Sequence, residues 1–145
     1  MKPTDRRRGR SGSALIELCL CTPVLALLLF GAMDFGRVYY TAMELTSAAW
    51  AGAQYASLKP ANQTDTAGIS AAVNADAQDI APITVTSTMV CTCSNGTATA
   101  CGGGGCASVK KFVQVNATKT FNTLFPYPLI PQSTGLGAVV QVRVP

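Results

Sequence analysis

The feature that most constrains this chain is an uncharged apolar run near its N-terminus, from Leu18 to Met33. The segment from Ser13 to Met33 has 21 residues, and as a helix it rises about 31 Å, close to the ~30 Å hydrocarbon core of a bilayer. It also lacks the polar stripe of a surface helix in a soluble protein. The sequence therefore predicts a membrane span over residues 13–33.

A basic leader precedes this span and predicts its orientation. Residues 1–12 carry five basic side chains against one acidic side chain: Lys2, Arg6, Arg7, Arg8 and Arg10 against Asp5. The positive-inside rule places this leader in the cytoplasm and residues 59–145 in the periplasm. A cleaved secretory signal has the same order of basic and apolar segments, but no sharp small-x-small site follows Met33. The pattern therefore favours a retained, single-pass anchor in the inner membrane.

Composition bounds the function of the exported part, which is long enough for one small domain. Beyond residue 12 the chain has six basic and six acidic residues, so no basic surplus remains for nucleic acid. The chain has no His, the commonest general base and zinc ligand. Asp76 and Asp79, spaced i,i+3, indicate a solvated helix face. We expect no nucleic-acid partner, no cofactor, no metal and no enzymatic activity.

Six cysteines fall into two groups. Two of them, Cys19 and Cys21, lie in the apolar run, where a thiol behaves as a small hydrophobe. The others, Cys91, Cys93, Cys101 and Cys106, lie in a Cys-rich loop, residues 91–106. An even set in a short exported segment predicts two disulfides. A Cys₄ zinc site is the alternative, although C-x-C and C-x₄-C are not the usual zinc-ribbon spacings.

The pairing of these four cysteines follows from the strands expected on either side. If residues 83–90 and 109–118 form a hairpin, Cys91 and Cys106 lie at its base and Cys93 and Cys101 nearer its tip. We therefore expect nested pairs, 91–106 and 93–101. The glycines from Gly102 to Gly105 are interpreted as a flexible turn between them, since no Gly-Lys-Ser/Thr follows for a phosphate loop.

Helical periodicity continues beyond the span, without a break before Lys59-Pro60. Apolar residues recur at spacings of three and four, which predicts one helix over residues 13–58. The expected inner face consists of Val38, Ala42, Leu45, Ala49, Ala53 and Ala56. Pro23 is expected to bend or loosen this helix, because it removes one backbone hydrogen bond.

The remaining segment, residues 59–145, predicts a small mixed domain. Thr66 is a candidate N-cap for a short helix with an apolar face formed by Ile69, Ala72, Val73, Ala77 and Ile80. The period then changes to two, which predicts strands at 83–89, 112–118 and 138–144. The prolines at 126, 128 and 131 exclude regular structure between the last two strands. The predicted fold is α+β and pilin-like: a long N-terminal helix with a small antiparallel sheet.

One carboxylate near the membrane requires an explanation. Glu17 follows Gly12 by five residues, and a Glu deep in a bilayer costs roughly 2–3 kcal/mol. Cleavage between Gly12 and Ser13 would create an α-amino group four residues before Glu17, on the same helix face. That amine, or the amine of a neighbouring subunit, could neutralise the carboxylate and set the register between helices. The alternative is a Glu that snorkels to the interface.

Gly-x-x-x-x-Glu ahead of an apolar helix resembles the class III signal of type IV prepilins. Residues 12 to about 57 are similar to the TadE-like family of tight-adherence (Flp) pilus assembly proteins. The resemblance is carried by Gly12, Glu17, Pro23, the FGAMDFGR segment at 30–37 and the AAWAGAQYA block at 48–56. It covers a little under a third of the chain.

The resemblance implies a minor pilin-like protein, or pseudopilin, which is a substrate of a prepilin peptidase and not an enzyme. Its implied partners are this peptidase, inner-membrane pilus platform proteins, other TadE-like or TadF-like subunits, the lipid bilayer and the major pilin. Two other classes remain open. One is a bitopic, disulfide-stapled periplasmic binding module with an uncleaved anchor. The other is a disulfide oxidoreductase acting through Cys91 and Cys93, for which no feature that lowers a thiol pKa is evident.

Overall fold

The computed structural model describes residues 11–102, 106, 108–127 and 129–145. The predictions for the basic leader at 1–10, for the glycine turn at 103–105 and for the proline at 128 concern positions outside these described residues. The chain divides into two compact units, Met1–Arg37 and Val38–Pro145. One long helix, α1 (Ser11–Leu58), contributes residues to both units and contains Pro23. The prediction of one helix over residues 13–58 is confirmed.

In the second unit, α1 packs through a face of small residues. Its buried side chains there are Thr41, Leu45, Ala48, Ala49, Ala53 and Ala56. The predicted inner face is therefore wrong in its first turn, because Ala42 is exposed and Val38 is only half-buried. Successive residues of a helix point about 100° apart. Because Thr41 faces the core, Ala42 points towards solvent.

The second helix, α2 (Thr66–Asp76), is capped by a residue that the sequence analysis did not select. The Asp65 carboxylate accepts a hydrogen bond from the Gly68 backbone N–H at 2.9 Å and another from the Tyr55 hydroxyl at 2.8 Å. Thr66 is the first helical residue rather than the N-cap. The Gly68 N–H, followed by the Tyr55 hydroxyl, lowers the pKa of Asp65 because both favour the charged carboxylate.

Short 3₁₀ helices flank α2, at Pro60–Gln63 and Gln78–Ile80. The predicted apolar face of the short helix is confirmed at four positions, since Ile69, Val73, Ala77 and Ile80 are buried. The last two of these lie beyond the end of α2 at Asp76. The helix therefore ends earlier than the continuous apolar pattern indicates.

Four antiparallel strands form one sheet in the order β2-β1-β3-β4. They are β1 (Thr84–Cys93), β2 (Ala98–Thr99), β3 (Val109–Asn122) and β4 (Ser133–Val144). In the registers, Thr88 lies opposite Gln114 and Val115 lies opposite Val140. The α+β prediction is confirmed, and each of the three predicted strands exists. β2 is an additional strand, and β3 is longer at both ends than predicted.

The core of the second unit lies between the α1 face, α2 and one side of the sheet. The strands contribute Val113, Val115, Ala117, Val140 and Val144, and α2 contributes Ile69 and Val73. The period-two pattern explains this side of the sheet, because alternate side chains of β3 point to the same face. The valine and isoleucine side chains of the strands and of α2 thus occupy the space next to the small alanine side chains of α1.

The cysteine pairing differs from the expected nested arrangement. Cys91 is bonded to Cys101 and Cys93 is bonded to Cys106, so the two disulfides interleave along the chain. The cause is a tight turn at Gly96, where the backbone N–H donates to the Cys93 carbonyl at 2.9 Å. This turn folds β2 back onto β1 and returns Cys101 to the side of Cys91, with the two Cα atoms 5.1 Å apart. The prediction of two disulfides is confirmed, and the predicted connectivity is wrong.

Candidate membrane segment and processing site

The first unit presents a helix with an apolar surface. Ten large apolar side chains between Leu15 and Met33 are more than half exposed. Transfer of each such side chain from water to an apolar environment is favourable by roughly 1.5–3 kcal/mol. By length and composition this is a helix that could cross a membrane. The observation is consistent with a single-pass membrane protein.

The candidate processing residues lie in the first two turns of α1. Gly12, Ser13 and Glu17 are all exposed, and a Cβ atom added at Gly12 would have no neighbour within 4 Å. Within the helix, Glu17 and Ser13 are four residues apart and share a face. This geometry would place an α-amino group on Ser13 one helical turn before the Glu17 carboxylate.

An ion pair follows the apolar run, at the position where the sequence predicts that the span ends. The Arg37 guanidinium donates to the Asp34 carboxylate at 3.1 Å. The Asp34 side chain is almost completely buried, whereas the Arg37 side chain is about half exposed. Opposite charges at i,i+3 on a helix are neighbours, and their pairing reduces the cost of desolvating the carboxylate.

Comparison with known families concerns this same segment. Residues 12–54 match the family model of TadE-like protein. The TadE-like segment begins at Gly12 and includes Glu17, the apolar run and the Asp34–Arg37 pair, as the resemblance predicts. This family suggests a role in tight-adherence pilus assembly. No curated protein and no solved structure is significantly similar to the chain.

The part of α1 in the second unit has a second, outer face. Tyr39, Met43 and Trp50 are each about half exposed and border a shallow, mostly apolar groove of about 440 Å³ with Ala42, Thr46 and Ser47. Nearby, the Tyr40 hydroxyl donates to the Asp79 carboxylate at 3.4 Å. The negative charge of Glu44, together with partial burial and Asp79, raises the pKa of Tyr40.

The described residues contain no cluster of three or more His, Cys, Asp or Glu side chains that could hold a metal ion. The two cysteines of the TadE-like segment, Cys19 and Cys21, are free and exposed on α1. Asp76 and Asp79, considered above as a solvated pair, lie on different elements, because α2 ends at Asp76. The candidate functional residues are therefore those of the membrane segment and those of the disulfide-bonded loop.

Proposed function

We propose that this chain is a minor pilin-like membrane protein, or pseudopilin, that supports assembly of a tight-adherence (Flp) pilus. It is anchored in the inner membrane by residues 13–33, with its leader in the cytoplasm and residues 59–145 in the periplasm. Its partners are a prepilin peptidase, the pilus platform proteins, other TadE-like or TadF-like subunits and the bilayer. In this role the chain is a substrate and a structural component rather than an enzyme.

One observation carries the proposal: the family match begins at Gly12 and includes Glu17 five residues later. These two residues have the spacing of a prepilin signal, directly before an exposed apolar helix. A membrane anchor by itself requires neither of them. Glycine lowers the stability of a helix, and a carboxylate at this depth disfavours insertion.

Glycine at position 12 has a physical role in the proposed cleavage. The Gly12–Ser13 bond lies in the first turn of α1, and a peptidase has to bind it in an unwound conformation. Gly disfavours helix by about 1 kcal/mol relative to Ala, so the first turn opens more easily there. The absence of a Cβ also lets the peptidase backbone approach closely.

Glu17 has a role only after cleavage. The new α-amino group of Ser13 carries a positive charge one turn away, and a pair between the two groups offsets part of the cost of Glu17 in lipid. If the amine belongs to an adjacent subunit, the same pair sets the axial register of two helices. We propose the intermolecular pair as the reason that Glu17 is needed for assembly.

Cleavage is tested by N-terminal sequencing of the protein from native membranes. The expected mature chain begins SALIEL and has lost twelve residues. Gly12→Val should abolish cleavage while leaving insertion intact. Gly36→Val is the matched control, because a Cβ at Gly36 also has no neighbour within 4 Å but this glycine lies outside the signal. An intact Met1 on the wild-type protein in cells that contain the peptidase would refute the proposal.

The role of Glu17 is tested by complementing a deletion strain. Glu17→Leu makes the span more apolar, so we expect it to accumulate in the membrane, to be largely processed and to fail in piliation. Leu20→Ile, an apolar change one turn further along the helix, should support normal piliation. Full piliation by Glu17→Leu would show that the carboxylate only snorkels to the interface.

A bitopic periplasmic binding module is the second candidate, favoured by the two disulfides, Cys91–Cys101 and Cys93–Cys106. The family match ends at residue 54 and does not extend to this loop. This alternative requires an uncleaved anchor and tolerance of Glu17→Leu. The two experiments above therefore separate it from the pseudopilin.

A further inference from the structure

The loop between β3 and β4 has an unusual composition for a water-exposed hairpin. We use the term apolar loop for residues 123–127 and 129–132. The sequence has no charged residue from 120 to 142. Leu129 is fully exposed and Ile130 is more than half exposed, while Leu124 and Phe125 expose about half of their side chains. Exposed apolar groups concentrated in this way indicate a contact surface.

The backbone of the apolar loop is closed and partly strained. The Thr123 N–H donates to the Gln132 carbonyl at 2.9 Å, which joins the two ends of the loop. Leu129 has φ 71, a left-handed conformation that is costly for a bulky residue. The Leu129 side chain is fully exposed, so it gains no apolar contact in water that would offset this cost.

Contacts within the second unit show at which end of it the apolar loop lies. The Lys119 ammonium, in β3, donates to the Ile80 carbonyl, and the adjacent Asp79 accepts from Tyr40 in α1. At the other end, the Gln63 amide, after α1, donates to the carbonyl of the terminal Pro145 at 3.3 Å. β3 runs on past Lys119 for three residues, about 10 Å, to reach the loop. The apolar loop therefore lies at the Tyr40 end of the unit.

The segment that connects this end of the second unit to the predicted span is short. Tyr40 follows Met33, the last residue of the predicted span, by seven residues. In a helix this separation corresponds to about 10 Å, and the headgroup layer on each side of the hydrocarbon core is about 5–8 Å thick. The disulfide-bonded loop lies at the opposite end of the unit, and its first cysteine, Cys91, follows Met33 by 58 residues along the chain.

We propose that the apolar loop inserts into the outer surface of the same bilayer that residues 13–33 cross, an inference that rests on the anchoring in the proposed function. The loop has no charge to desolvate, and Pro126 and Pro131 have no backbone N–H that lipid would leave unpaired. The chain would thus contact the bilayer at two places, the span and the apolar loop.

Depth-dependent fluorescence quenching tests this contact in the full-length protein. The chain has one tryptophan, so the variants are made in a Trp50→Phe background. Leu129→Trp reports on the apolar loop, Leu25→Trp on the span, and Ala100→Trp, an exposed position in the disulfide-bonded loop, on the opposite end. Each protein is reconstituted into phosphatidylethanolamine–phosphatidylglycerol vesicles containing lipid brominated either near the top or near the middle of the acyl chains. The shallow bromines serve Leu129→Trp and the deep ones serve Leu25→Trp, which lies eight residues, about 12 Å, below Met33; Ala100→Trp is measured with both.

We expect at least a twofold loss of emission for Leu129→Trp and Leu25→Trp, and no change for Ala100→Trp. If Leu129→Trp is no more quenched than Ala100→Trp while Leu25→Trp is quenched, the proposal is overturned. Protection of position 129 from iodide only in native membranes would identify a protein partner and also overturn it. An unquenched Leu25→Trp would remove the anchor and the inference with it.

The same measurement separates this inference from the proposed role in pili. Glu17→Leu, combined with the Leu129→Trp reporter, should still show quenching, because membrane contact does not require assembly. Failure of pilus assembly with intact quenching therefore concerns only the proposed function. Loss of quenching in vesicles by a reporter variant that still supports piliation in cells would concern only the apolar loop.

Discussion

Replacement of Gly52 by alanine tests the close packing of α1 against α2 in the second unit. A Cβ atom at position 52 would lie 2.5 Å from Val73 Cγ2 and 3.3 Å from Ile69 Cγ2. Carbon atoms in contact are normally 3.5–4.0 Å apart. Val73 is completely buried and its β-branched side chain has few alternative rotamers. The two helices must therefore separate by about 1 Å to accept one methyl group.

The expected magnitude combines two opposing terms. Overpacking of a filled core costs about 1–3 kcal/mol, whereas Gly→Ala within a helix contributes about 0.8–1.0 kcal/mol of stability. We expect the free energy of unfolding of the second unit to fall by about 0–2 kcal/mol. Gly36→Ala, where a Cβ has no neighbour within 4 Å, lies in the first unit, so it should leave the free energy of unfolding of the second unit unchanged.

A double-mutant cycle isolates the steric term. Val73→Ala removes the clashing methyl groups, so Gly52→Ala in that background should recover the helix propensity and become stabilising. The free energies come from urea unfolding in detergent micelles, followed by hydrogen exchange at the core amides of Val113 and Val115. A coupling of about 1–2 kcal/mol is expected between the two changes. Additive effects, or a stabilising Gly52→Ala in the wild-type background, would refute the packing argument.

Three further predictions concern the cap of α2 and the disulfides. Gly68→Ala should destabilise α2, because a Cβ there would meet the Asp65 carboxylate and displace the N-cap; circular dichroism should show loss of helix on milder heating. The pKa of the Asp65 carboxyl group is lower in the folded protein than in the unfolded chain. The ionised carboxylate therefore contributes its full stabilisation above the unfolded pKa of about 4, and this contribution declines as the pH falls through the folded pKa. Asp65→Asn should flatten that acid limb of the stability profile, and an unchanged limb would contradict this assignment. Non-reducing peptide mapping should join Cys91 to Cys101, whereas a peptide joining Cys91 to Cys106 would support the nested pairing instead.

Helical and period-two patterns that repeat over many residues were sufficient to predict the long helix and the three longer strands. α1 was predictable because apolar residues recur at helical spacing as far as Leu58 despite Pro23, and its observed bounds are Ser11–Leu58. The α2 N-cap was misplaced by one residue, since Asp65 and Thr66 are both favoured cap types and only the Gly68 N–H distinguishes them. The extensions of β3 at both ends include Lys110, Lys111 and Lys119, where hydrogen bonding to neighbouring strands outweighs the local polarity.

The disulfide connectivity was missed for a different reason. Asn95-Gly96 is a hairpin signal, and the observed turn is a three-residue loop, 94–96, in which Gly96 has φ 90 and Cys93 pairs with Thr97. This loop marks the place where β2 folds back onto β1. β2 has only two residues, which is too short to show a period. The membrane segment and its candidate processing site, by contrast, were visible in the sequence, because apolar length, charge and the Gly12–Glu17 spacing are all local properties.

The alanine and glycine face of α1 has a consequence for how this protein can vary. In most cores the damaging substitutions remove volume, but along this face the damaging ones add it, since Ala48, Ala49, Ala53 and Ala56 are completely buried. A larger residue there requires a matching reduction on α2 or the sheet, so acceptable changes arise in pairs. Apolar residues of the span, exposed on every side, can exchange one by one. Apart from Gly12 and Glu17, sequence drift in the first half of α1 is therefore expected to proceed by single substitutions, whereas drift in the second half is expected to require coordinated pairs.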